Sequence, residues 1–91
     1  VGLSFKKMNF VVYILQSQTT LKFYCGQTDD LEQRLSRHNG AEVKSTKHGA
    51  PWYVIAVVPC ASRAESMELE LKIKKRGIQR WLNENEQYKI R

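Results

Sequence analysis

Apolar side chains fall in three short blocks with strand character and in longer runs with helical spacing. Val11-Val12-Tyr13-Ile14-Leu15 and Phe23-Tyr24-Cys25-Gly26 are rich in β-branched and aromatic residues, the types that suit a pleated, half-buried surface. The polar interval from Gln16 to Lys22 suits a hairpin loop. Pairing Leu15 with Lys22 would set Tyr13 opposite Tyr24, with both phenols on one face of the sheet. A slip of one residue would put them on opposite faces. Such a pair reads either as a patch of core or as part of a site. A helix is predicted from near Asp29, where Asp29 and Glu32 form a capping box, to the stop signal Asn39-Gly40. A polar, basic loop, Ala41 to Pro51, leads into Trp52 to Val58, which reads as a central strand ended by Pro59. A second capping box, Ser62-Arg63-Ala64-Glu65, opens a helix to about Arg76 with Gly77 after it. Ile78 to Asn83 forms a last short helix, and the tail to Arg91 is polar. The order is β-β-α-β-α-α, the pattern of an α+β domain over residues 9–83 with extensions at 1–8 and 84–91.

Helical geometry, at about 100° per residue, sorts the polar side chains. Leu31 and Leu35 share one side of the first helix, and Arg34 and His38 stack beside that stripe, four residues apart. Arg34 reads as a snorkelling cover for the core or as a site residue. His38 reads as a helix-end histidine facing the last carbonyls or as a site residue. On the long helix, Ala64, Met67 and Leu71 form one apolar patch and Leu69 and Ile73 another. Glu65, Glu68, Lys72 and Lys75 occupy the solvated arc. Glu70 projects between the patches, with Ser66 and Lys74 above and below it. An inward carboxylate is costly unless paired or metal-bound, so Glu70 is either an ion-pair partner of Lys74 or a carboxylate aimed into a cleft.

Ninety-one residues, 42% of them hydrophobic, are enough for one domain with a small core. No apolar run approaches the ~20 residues of a membrane span, and no signal peptide is visible, so a cytoplasmic protein without membrane contact is expected. The start, Val1 to Lys7, is basic. Cys25 and Cys60 lack metal-ligand spacing and read as small buried hydrophobes. The formal net charge is +6, and the surplus is local. Arg34, Arg37, Lys44 and Lys47 face a single acid, Glu42, over the stretch to His48, and Lys72, Lys74, Lys75, Arg76 and Arg80 form a second cluster. A domain this basic commonly meets nucleic acid.

Val11-Val12-Tyr13, Tyr24-Cys25-Gly26, the helix segment Thr28 to Leu35 with Arg34, then His38-Asn39 and Glu70 before Ile73-Lys74, together resemble the GIY-YIG nuclease domain. The likeness covers most of the chain and is closest to small single-domain bacterial members. It implies a three-stranded antiparallel sheet flanked by helices. It also implies a hydrolase: a metal-dependent endonuclease cutting phosphodiester bonds in DNA, with repair or recombination as its setting. By the resemblance the catalytic residues are Tyr13, Tyr24, Arg34, His38 and Glu70. Glu70 would bind one divalent cation, Mg²⁺ or Mn²⁺, and Arg34 would stabilise phosphate charge. Tyr13 is the family's proposed base, while His38 is better matched in pKa; the two remain alternatives. Arg37, Lys44, Lys47 and Lys74 are expected to bind nucleic acid.

Larger repair-type members carry a lysine after the second motif's glycine, where this chain has Gln27. For the asparagine that many members use late in the domain, Asn83 and Asn85 are the candidates. With no room for a separate DNA-binding region, low sequence specificity is expected, or targeting by DNA structure or a protein partner. The competing function is a non-catalytic nucleic-acid-binding module on the same fold. Trp81 and Tyr88 read as a subunit contact, as core, or as a docking point for the tail.

Overall fold

A computed structural model describes residues 10–90. The expectations for the basic start, for Asn9 as a boundary and for Arg91 lie outside the described residues. Three strands, β1 (Phe10–Ser17), β2 (Phe23–Thr28) and β3 (Trp52–Cys60), form one antiparallel sheet. Three helices follow the expected order: α1 (Leu31–Asn39), α2 (Arg63–Arg76) and α3 (Ile78–Glu84). The strand order is β2-β1-β3, so β1 is the central strand. β3, read from its composition as central, lies at an edge. An edge tolerates the missing N–H of proline, and β3 therefore runs through Pro59 to Cys60 instead of stopping there.

Tyr13 pairs with Gly26 and Leu15 with Tyr24, two residues away from the expected register. The strands extend until the Ser17 N–H donates to the Lys22 carbonyl at 2.9 Å, leaving a tight tip in which Leu21 adopts a left-handed φ of 64°. Ser17 Oγ accepts from the N–H groups of Thr19 and Thr20 and holds that tip. A tighter loop gains ladder hydrogen bonds. Because the shift is two residues, Tyr13 and Tyr24 still share a face.

The central strand is buried on both sides. Val12 and Ile14 join Cys25, Ala56, Val58 and Cys60 beneath Ile73, Trp81 and Leu82 of α2 and α3. Tyr13 and Leu15 join Trp52 on the opposite face, against Tyr24 and against Leu31 and Leu35 of α1. Both cysteines are free and buried, as expected. Register shifts between Ile14 and Leu15 on β1, leaving Ile55 as a bulge residue on β3. The Ile55 carbonyl accepts from the Ile90 N–H, and Lys89 bridges to Ala56. Tyr88 stacks on Trp81 at 6.0 Å between ring centroids. Trp81 belongs to the core and Tyr88 packs the tail against it, so the core and tail-docking readings of that pair both hold.

The helix ends correct two details. Asp30, one residue later than expected, caps α1, its carboxylate accepting from the Gln33 N–H at 3.1 Å. Ser62 caps α2 as expected, but Glu65 reaches back to the N–H of Ala61 instead of Ser62. On α2 only one of the two apolar patches is core. Ile73 is fully buried and Leu69 packs on it, whereas Met67 is 50% and Leu71 68% exposed.

Candidate active site

Tyr13 sits at the centre of the sheet face that carries α1, and its phenol passes over Gly26 of β2. A Cβ at position 26 would lie 2.6 Å from Tyr13 Oη, so only glycine leaves room for that hydroxyl. Tyr24 flanks it at 6.2 Å between ring centroids. From α1, Arg34 Nε donates to Tyr13 Oη at 3.4 Å, and His38 Nε2 shares a hydrogen bond with Tyr13 Oη at 3.0 Å. The four-residue spacing on α1 thus delivers both side chains to one phenol. Arg34 is partly buried, but His38 lies inside the fold with no exposed surface, not at the core border as expected. Its ring lies 4.9 Å from that of Tyr24.

On the far side, His38 Nδ1 hydrogen-bonds Thr46 Oγ1 at 2.7 Å. Thr46 lies in the loop between α1 and β3 and is itself buried. The loop is held by Asn39, whose side chain accepts from the Trp52 N–H at 2.5 Å and donates to the Trp52 carbonyl. Trp52 Nε1 in turn donates to the Thr46 carbonyl at 2.8 Å. Helix end, loop and strand start are one hydrogen-bonded unit. Sequence reasoning missed Thr46, since a buried hydroxyl inside a polar loop leaves no periodic signal.

Burial is the main cause of the pKa shifts here. It pushes Tyr13 up to about 12, against the lowering effect of the Arg34 hydrogen bond. It pushes His38 down to about 4, with the positive charges of Arg34 and Arg37 acting in the same direction. At neutral pH the resting pair is therefore a neutral phenol beside a neutral imidazole.

Glu70, on α2, makes no hydrogen bond to this cluster and is bonded to Lys74 instead. Its charge nonetheless contributes to raising both Tyr13 and Cys25. Its side chain is 19% exposed and accepts from Lys74 Nζ at 2.5 Å. The ion-pair reading of Glu70 is thus realised, and the Lys74 pKa is raised chiefly by that bond. One turn earlier, Ser66 Oγ donates to Gln27 Oε1 at 2.7 Å and ties α2 to β2. Gln27 therefore acts as a bridge between the two elements.

No cluster of three or more metal-ligating side chains occurs among the described residues. One carboxylate still suits a hard cation that keeps most of its shell as water and phosphate oxygen. Glu70 fits that role once Lys74 is displaced. Among the expected nucleic-acid contacts, Lys44 and Lys47 are exposed on the loop next to Thr46. Arg37 is exposed on α1, 3.9 Å from Glu42, and Lys74 is engaged with Glu70. No helix among the described residues is long and apolar enough to cross a membrane.

Comparison with known proteins agrees with this arrangement. The family model for the GIY-YIG catalytic domain matches residues 9–85. The UPF0213 protein YsiG of Lactococcus lactis subsp. lactis (strain IL1403) is 43% identical over 63 residues, which cover 67% of this chain and 59% of that protein. The motif tyrosines converge on one sheet face, the helix delivers arginine and histidine to the first of them, and the family match spans nearly all the described residues. This chain belongs to the GIY-YIG catalytic domain family of nucleases.

Proposed function

We propose that the protein is a metal-dependent endonuclease that hydrolyses phosphodiester bonds in DNA with low sequence specificity or by DNA structure. The observation that carries the reading is the Tyr13 hydroxyl held between His38 Nε2 and Arg34 Nε. This is a phenol given both a partner for its proton and a cation beside its oxygen. In the proposed reaction, Arg34 swings its guanidinium onto a phosphate, where its planar fork suits two oxygens. That movement uncovers Tyr13 Oη. Tyr13 takes a proton from the attacking water while passing its own to His38. With Tyr13 at about 12 and His38 at about 4, the ground-state transfer alone would cost on the order of 10 kcal/mol. Proton movement must therefore be concerted with attack, which is compatible with enzymatic barriers. His38, sealed behind Tyr13, acts through the phenol and does not meet water directly, so both members of the alternative base pair take part.

Glu70 would hold the divalent cation, which when bound would stabilise charge on the phosphate and acidify water. Tyr24 flanks Tyr13 and His38 in the proposed site, and Lys47 is an exposed cation next to Thr46 on the loop. Repair or recombination, with a protein partner for targeting, is the proposed setting.

The Glu70–Lys74 ion pair favours a second reading, a nucleic-acid-binding module whose carboxylate stays neutralised. Incubation with supercoiled, nicked and branched DNA in Mg²⁺ or Mn²⁺, with EDTA as control, separates the two. The nuclease reading expects cutting that EDTA stops and that Glu70→Ala abolishes while DNA binding survives. Binding without cutting on every substrate and metal would establish the module instead.

A further inference from the structure

We propose that Thr46 is a positioning residue: it fixes His38 as the Nδ1–H tautomer and so turns the Nε2 lone pair towards Tyr13. The tautomer follows from the hydrogen bonds. Its consequence for cleavage rests on the nuclease reading above.

Tyr13 has no exposed surface, so its hydroxyl proton needs an acceptor inside the protein. Arg34 Nε can only donate, and His38 Nε2 is the remaining hydrogen-bond partner of Tyr13 Oη among the described residues. The Tyr13 proton therefore points at Nε2. A neutral imidazole carries one N–H, which must then be on Nδ1, where Thr46 Oγ1 accepts it at 2.7 Å. The Thr46 hydroxyl passes its own proton to the Val43 carbonyl at 3.3 Å. Every link now runs one way, from Arg34 through Tyr13, His38 and Thr46 to Val43. The opposite tautomer would present a second N–H to an oxygen already taking one from Arg34. It would also leave the Tyr13 proton without an acceptor, which a buried hydroxyl rarely tolerates.

Thr46 is well placed to enforce this direction. It is 1% exposed, its N–H donates to the Val43 carbonyl at 3.0 Å, and its carbonyl accepts from Trp52 Nε1. The backbone that carries the hydroxyl is therefore held in place beside His38 Nδ1. During the proposed reaction one proton arrives at Nε2 from Tyr13, and the Tyr13 oxygen takes one from water. His38 becomes an imidazolium whose Nδ1–H stays on Thr46, so no other proton needs to move. The titratable and charged groups around the ring are Tyr13 of β1, Tyr24 of β2, and Arg34 and Arg37 of its own helix.

The test is ¹⁵N NMR of the imidazole nitrogens in the full chain, with His48→Gln to assign His38. Wild-type protein should show a protonated-type Nδ1 and a pyridine-type Nε2. Thr46→Val keeps the side-chain shape and removes the acceptor. It should shift His38 towards the other tautomer and slow DNA cleavage by about tenfold at unchanged DNA affinity. Thr46→Ser should restore both the spectrum and the rate. A wild-type ring protonated at Nε2 would overturn the proposal, as would Thr46→Val with the native tautomer and full rate. If Thr46→Val does not fold, the wild-type and Thr46→Ser spectra decide, since both must show Nδ1–H. If the wild-type protein cuts no DNA, the nuclease reading fails, and the tautomer spectra still decide the role of Thr46.

Discussion

Tyr13 and His38 show how burial sets chemistry at the scale of single residues. Either side chain on a surface would titrate near its ordinary value; enclosed together they remain neutral at pH 7 in a shared hydrogen bond. The shift of His38 has a consequence for folding. Its folded pKa, lowered by burial to about 4, lies below the unfolded value near ~6.5. Between those values the unfolded chain binds the extra proton, so stability rises with pH. The contribution is complete above about pH 6.5 and is lost as pH falls towards 4, amounting to roughly 3 kcal/mol. Urea denaturation at pH 7 and pH 5 should show a little over half of this loss, and His38→Gln should remove most of the difference. An equal acid sensitivity in His38→Gln would assign it to other groups.

At the scale of elements, some features were legible in the sequence and others were not. The order of strands and helices, the shared face of Tyr13 and Tyr24, and the delivery of Arg34 and His38 by one helix all follow from local patterns of period two and 3.6. The hairpin register depended on the turn at Ser17 to Leu21, where a left-handed non-glycine residue gives no compositional cue. The edge position of β3 is a matter of topology, which β-branched composition does not encode. On α2, periodicity named two apolar patches, yet the sheet covers only one of them. Glu70 could not be resolved between ion pair and site residue, because Lys74 stands one turn away and serves either reading. The packing of α2 supplies a check by chemical denaturation. Leu71→Gln, at a site 68% exposed, should change stability by no more than about 0.5 kcal/mol. Ile73→Ala, at a fully buried site, should cost about 2–5 kcal/mol. A large loss from Leu71→Gln would mean that the second patch is covered after all.

Across the whole molecule, the sheet separates two tasks. Its α2–α3 face holds most of the aliphatic core, and its α1 face holds the polar cluster of tyrosine, arginine, histidine and threonine. The net charge of +6 suits a polyanionic substrate, and the loop carrying Lys44 and Lys47 adjoins the His38 end of the cluster. If Lys47 meets a phosphate, Lys47→Ala should lower the salt slope of DNA binding by roughly one; an unchanged slope would remove it from the interface. The central claim is that the Tyr13 hydroxyl takes part in phosphodiester hydrolysis. Its most direct test compares single-turnover cleavage by wild-type protein and Tyr13→Phe in Mg²⁺, with DNA affinity measured alongside. Loss of one hydroxyl should slow cleavage by at least about 100-fold with affinity unchanged. Cleavage by Tyr13→Phe at the wild-type rate would contradict the account.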